Sequence, residues 1–271
     1  MDSNFWIREL LTISSRCFII AGIAFTLAYV ILKPFISYKK IQQVFPGKKD
    51  YVREIGFSVI TMLIFACVPT FILTTPSIAV HTLYYRNISD YGIPYFCFAF
   101  VIMLFAHDAY FYWIHRMMHH PKLFKLLHLV HHKSTNPSPW AAYSFHPLEA
   151  IAEVGIYVIF LFCLPLHKGH LVFFFLFQII YNVYGHLGYE LYPKGFNKTL
   201  IGKYVNTSTA HNQHHKYFNG NYGLYFTIWD HLMGTIRPDY DAAFEEIKLR
   251  ARPEAGSKVE EPSLQKQEAA A

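Results

Sequence analysis

The sequence predicts an all-α integral membrane protein: a helical bundle of about three to five membrane helices with a histidine-rich helical cap at one end. Three observations carry this. Only 15% of the 271 residues are charged and 53% are hydrophobic, whereas a soluble domain is about 25% charged. Three long runs carry no charge at all. Eight of the sixteen histidines fall between His107 and His146, and four more stand at His186, His211, His214 and His215.

The first run, Cys17 to Leu32 with Leu10 to Ser15 before it, approaches the ~20 apolar residues that cross a bilayer; Arg16 can snorkel, and Lys33-Pro34 ends the run. No basic leader or small-residue cleavage site precedes it, so it is expected to stay as an anchor. Ile55 to Tyr85 is the second run, with a kink expected at Pro69. Tyr91 to Ala106 is the third, and the chain runs on through FYWI before the first arginine at Arg116. The loop between the first two carries Lys33, Lys39, Lys40, Lys48, Lys49 and Arg53 against Asp50 and Glu54, which places it in the cytoplasm by the positive-inside rule. The histidine-rich stretch then also emerges on the cytoplasmic side. Val154–Leu166 and Leu171–Gly185 form a further apolar pair that either crosses and returns or dips in as a re-entrant hairpin. After Pro238 the chain turns charged and Ala/Glu/Lys-rich, and is expected to be a frayed helix or disordered tail without chemistry. No Gly/Ser linker or repeat splits the chain. The expected division is residues 1–94 as N-terminal membrane helices, 95–237 as the histidine-rich region and 238–271 as the tail.

A net charge of +6 could suggest nucleic acid, but basic cytoplasmic loops explain it, and no nucleic-acid partner is expected. Cys17, Cys67, Cys97 and Cys163 lie in apolar runs without a CxxC pair, which argues against a disulfide framework or a thiolate metal site.

The histidine spacing points to metal. HRMMH holds His115 and His119; HLVHH holds His128, His131 and His132; HNQHH holds His211, His214 and His215. Residues three and four apart share a helix face, so each box can present its imidazoles toward one point. Without a metal, such a cluster would leave polar rings unsatisfied at about 1–3 kcal/mol each. A catalytic zinc typically takes three protein ligands plus water, so eight to ten histidines suit two ions. A zinc-dependent membrane hydrolase and a metal transporter or store remain as alternatives. His81, His167 and His170 read as ordinary satisfied polar residues.

HDAYFYWIHRMMHHPKLFKLLHLVHHKSTNPSPWAAYSFHPLEA, followed by GHLGYE, HNQHH and NYGLYFTIWDHLMGT, resembles the fatty acid hydroxylase superfamily and, within it, the sterol desaturase family. The resemblance covers about residues 95 to 237. It implies a membrane-bound non-haem di-iron oxygenase that uses O2 to hydroxylate or desaturate a lipid C–H bond. Its ligands would be His115, His119, His128, His131, His132, His211, His214 and His215, with His186 a further one and His146 a possible one. Asp108, Glu149, Glu190 and Asp230 would hold ligand histidines through their other ring nitrogen. His107, roughly 80° around a helix from His115, could reach the site; His120, about 100° from His119, points away. His231 is expected to hold no metal. The aromatic stretches at 111–113 and 173–177 could line a lipid cleft, though bilayer contact or packing explains most of them.

The sequence holds no GxGxxG after a strand and no CxxCH haem site. Electrons would therefore come from a small external carrier, cytochrome b5-like or a ferredoxin, and a basic face would suit an acidic one. A bacterial inner membrane and an endoplasmic reticulum fit equally well.

Overall fold

The computed structural model describes residues 2–251 and is mostly helical. Helix α1 (Ser3–Phe25) continues through a π-helical stretch to Ile31; α2 spans Lys48–Thr74 and α3 Gly92–Met118. All three are long and apolar enough to cross a membrane. Their packing is inverted relative to a soluble bundle. Helix α2 turns Glu54, Ser58, Thr61 and Thr70 inward, while Leu11, Ile19, Ile23, Phe71, Phe98 and Phe105 of the three helices stay exposed on the outside. The second helix stops at Thr74, short of the charge-free run, because Pro76 opens a separate helical turn.

Two further helices answer the question of the apolar pair. Helix α6 (Pro147–Cys163) starts beside the histidines and α7 (Lys168–Gly185) ends on His186. Between them β2 (Leu166–His167) pairs in parallel with β1 (Tyr84–Tyr85), which follows α2. Tyr95 at the start of α3 donates to the Pro165 carbonyl, and the His170 ring bonds the Phe96 carbonyl. The tip of the hairpin therefore lies at the end of the bundle opposite the histidines. With 17 and 18 residues, the two helices run about 25–27 Å, shorter than the ~40 Å of the 27-residue α2 and α3. His167 caps α7 by accepting from Gly169 N, and His170 accepts from His167 N, which together with the Phe96 carbonyl satisfies the His170 ring.

The cap is built from α4 (Pro121–Leu127), α5 (Leu129–His132), α8 (Ser208–Tyr217), α9 (Ile228–Leu232) and α10 (Tyr240–Leu249). Helix α10 corrects the expectation of a frayed tail from residue 238. Tyr240, Phe244 and Ile247, at helical spacing, are buried, the first two in one cluster with Ala210 of α8. The Arg250 guanidinium then donates to the carbonyls of Lys40 and Ile41. The remainder of the expected tail lies outside the described residues. The basic loop also needs one correction. Lys40 is buried among the rings of Tyr29, Phe45 and Tyr189, and burial pushes its ammonium down to about 7. It pins the Tyr189 segment and adds nothing to the water-facing charge.

Candidate metal centre

Two of the three histidine boxes, HLVHH and HNQHH, are divided between two places, while HRMMH gives both its histidines to one. His115, His119, His128, His132 and His214 form one group; His131, His186, His211 and His215 form the other, and within each group the candidate donor atoms all lie within 4.8 Å of one another. The expectation that a box aims at one point holds for HRMMH and is corrected for HLVHH and HNQHH. The helical pitch separates His131 from His132, and His214 from His215, by about 100°. Neighbours in sequence thus serve different groups. His132 stacks on His215 with centroids 4.9 Å apart, so the groups adjoin.

Carbonyl and carboxylate oxygens fix which ring nitrogen faces inward. Nδ1–H donates from His115 to Tyr222 O (2.9 Å), from His214 to Gly220 O (2.8 Å) and from His215 to Ser134 O (2.9 Å). It donates from His131 to Ser144 O (3.3 Å), from His186 to Asn182 O (2.8 Å) and from His128 to Glu149 Oε1 (2.7 Å). A carbonyl only accepts, so the five Nδ1 atoms that face carbonyls carry the proton, as does that of His128 when Glu149 is a carboxylate, and each Nε2 presents a lone pair. Yet His186 Nε2 lies 3.4 Å from His131 Nε2 and 3.2 Å from His215 Nε2. Lone pairs at that range repel unless a cation lies between them. Nε2 of His115 and of His128 and both ring nitrogens of His132 are buried without a partner among the described residues. The donor set therefore fits a cation in each group: neutral imidazoles, pre-oriented, with unspent lone pairs.

The loop Asn219–Phe226 does much of the positioning. Its amides are held by two carboxylates, Asp230 accepting from Tyr222 N and Gly223 N and Asp108 from Tyr225 N and Phe226 N. Its carbonyls face the histidines. Gly220 sits at φ +77, and a Cβ there would meet Thr235 O at 2.7 Å, so the carbonyl that holds His214 depends on glycine. Glu190 accepts from Thr209 N and Oγ1 and fixes the start of α8. Of the four acidic residues singled out in the sequence, Glu149 alone touches a histidine of the two groups; Asp108, Glu190 and Asp230 act through backbone.

The structure brings together nine of the ten histidines proposed as ligands. His146 is the exception: half-buried, it caps α6 by accepting from Leu148 N. His107 is buried outside both groups, with Nδ1 hydrogen-bonded to the Tyr225 hydroxyl at 2.9 Å. His120 is exposed and caps α4, and His231 bonds the Lys203 carbonyl. Phe111 packs on His115 and Phe174 on His107, while Trp113 and Phe173 are exposed. Sequence reasoning missed the carbonyls that orient the rings, and it missed Phe124 and Phe218, which pack on His132. Phe218 has φ +60, an uncommon conformation for a bulky residue.

Burial keeps the cap imidazoles neutral. It pushes His119 down to about 2 and His186 to about 4, and it holds His128, His131, His132, His211, His214 and His215 well below the ordinary range, with neighbouring rings adding to the effect for those six. The unfolded chain takes up these protons near pH 6.5 and the folded chain does not. Stability is therefore fully present above pH 6.5 and is lost as pH falls, His186 ceasing to contribute to the slope near pH 4. The melting temperature of metal-free protein in detergent is expected to drop between pH 7.5 and 5.5; a flat profile would contradict neutral burial.

A membrane bundle capped by paired polyhistidine groups defines a class of integral membrane protein built around two adjacent clusters of imidazoles able to hold metal. Residues 100–235 match the fatty acid hydroxylase family, and the chain belongs to it. A Delta(7)-sterol 5(6)-desaturase of Gibberella zeae is 33% identical over 172 residues, 62% of this chain and 52% of the relative. One of Leptosphaeria maculans is 41% identical over 143 residues, 52% of this chain and 38% of the relative. The lathosterol oxidase of Mus musculus is 31% identical over 200 residues, 73% and 64% of the two chains. The chain thus spans about half or less of the length of these fungal relatives. No solved structure matches it.

Proposed function

We propose that the protein is a membrane-bound non-haem di-iron oxygenase that hydroxylates or desaturates a lipid C–H bond with O2. The observation that carries this reading is the pair of adjoining groups whose Nε2 lone pairs converge. Five and four imidazoles are more than a single zinc uses, and a metal transporter would need metal-binding groups threaded through the spans, whereas these histidines gather at one end. His115, His119, His128, His132 and His214 hold one iron; His131, His186, His211 and His215 hold the other. Bound iron supplies the oxygen chemistry that a C–H bond requires. The chain's own residues orient the ligands, through Glu149 and the backbone carbonyls, and exclude water with Phe124 and Phe218.

The reaction consumes electrons that the chain has no motif to store, so a small carrier, cytochrome b5-like or a ferredoxin, delivers them. A cavity of about 580 Å³ lined by Lys133, Lys216 and Arg250 includes Ser134, whose carbonyl holds His215; its charge suits an acidic carrier. The basic loop supports a cytoplasmic histidine end by the positive-inside rule, in a bacterial inner membrane or an endoplasmic reticulum. The relatives' names make a sterol the first substrate to offer.

The test is anaerobic reconstitution with Fe(II) after metal stripping, followed by a Delta(7)-sterol, a reductant system and oxygen. Two irons per chain and an oxygen-dependent product are expected. One tightly held zinc, with iron refused, would sink the reading and favour a hydrolase.

A further inference from the structure

Among the nine histidines of the two groups, His119 alone is not buried. It lies in the wall of an open cavity of about 530 Å³ lined by Trp113, Arg116, Met117, His119, His120, Leu123 and Tyr222. The cavity adjoins the end of α3, where a spanning helix leaves the apolar layer. Its wall is divided by chemistry. Trp113 and Met117 present exposed apolar surface, and Leu123 adds to it. Arg116 supplies a cation. Its Nη1 donates to the Tyr112 hydroxyl at 3.2 Å, its guanidinium lies 5.9 Å from the Trp113 ring, and it has no carboxylate partner among the described residues. Elsewhere the same histidine group is covered, with Phe124 and Phe218 packed on His132.

We propose that this cavity is the mouth through which a lipid reaches the histidine group from the membrane interface, its polar oxygen held by Arg116 and its hydrocarbon body lying on Trp113, Met117 and Leu123. The proposal deepens the oxygenase reading and rests on it for the meaning of the histidines. Three features favour an amphipathic lipid over a water-soluble ligand. The apolar wall faces outward at the depth of the interface, where indole and guanidinium side chains are at home. An unpaired guanidinium offers a fork of donors to an oxygen acceptor. One end of the cavity is a histidine of the metal group itself, so a bound lipid is carried to the reacting site. A sterol hydroxyl and a fatty acid carboxylate share this acceptor chemistry.

Photolabelling distinguishes them without turnover. Iron-loaded protein in nanodiscs, held under argon, is irradiated with a diazirine sterol bearing a free hydroxyl or with diazirine palmitic acid, and the labelled peptides are mapped. The expected result is labelling of residues 113–123 by at least one probe, the arm that labels naming the polar end. Loss of a charge-assisted hydrogen bond costs about 1.5–3 kcal/mol, so Arg116→Gln is expected to weaken that labelling about tenfold or more, with Arg116→Lys between the two. Iron content unchanged in both variants shows that the fold is kept. Labels confined to other helices, no labelling by either probe, or equal labelling of Arg116→Gln and parent would overturn the proposal. Labelling that obeys these rules in a protein that never forms an oxygenated product would instead leave the mouth standing and sink the oxygenase reading.

Discussion

Replacing His186 with alanine is expected to strip one iron from each chain and leave the other. His186 is the hub of its group: its Nε2 lies 3.1 Å from that of His211, 3.2 Å from that of His215 and 3.4 Å from that of His131. Only four imidazoles serve this position, against five at the other, so one loss is felt more. The five-histidine group is anchored by Tyr222, Gly220 and Glu149, none of which depends on α7. Iron titration of His186→Ala should therefore give about one tight site where the parent has two. Turnover should fall by more than the ~10–100-fold that loss of a mere outer partner costs. His146→Ala is the matched control, since His146 only caps a helix, and it should keep both irons. Two irons held by His186→Ala as tightly as by the parent would exclude His186 from the centre.

How much of this was legible beforehand depended on range. The spans were legible because a bilayer imposes long charge-free runs, and the boxes because imidazoles at helical spacing have few other uses. What was not legible was the division of HLVHH and HNQHH between two groups. HxxHH shows which residues share a helix, but the partner group is set by helices packed from elsewhere in the chain, such as α7 bringing His186. The ring-orienting atoms were hidden for a similar reason. Most are backbone carbonyls, of Ser134, Ser144, Asn182, Gly220 and Tyr222, and a carbonyl leaves no mark in a sequence. Asp108 and Asp230 stood out as acids near the boxes, yet they hold loop amides rather than rings. Helix α10 was readable from Tyr240, Phe244 and Ile247 at helical spacing, but the charged residues around them masked the stripe.

Glu149 is the acid whose loss should reach the metal directly. Its Oε1 accepts from His128 Nδ1 at 2.7 Å, and both side chains are buried. A buried carboxylate beside a neutral ring is costly. A cation on the far nitrogen of His128 offsets that cost and is itself bound more firmly, because the carboxylate makes the imidazole a stronger donor. Glu149→Gln keeps the shape and can still accept from Nδ1–H, so His128 retains its tautomer and only the charge is removed. Iron affinity at the five-histidine position and oxygen-dependent turnover are expected to drop about 10–100-fold, while the four-histidine position is unchanged. Glu149→Ala also removes the acceptor, frees His128 to rotate and should cost more than Glu149→Gln. Asp108→Asn, which acts on the amides of Tyr225 and Phe226, gives the contrast: it should lower the melting temperature more than it lowers iron affinity. If Glu149→Gln bound iron as the parent does and lost only thermal stability, the carboxylate would be a packing partner of His128 and no tuner of the metal.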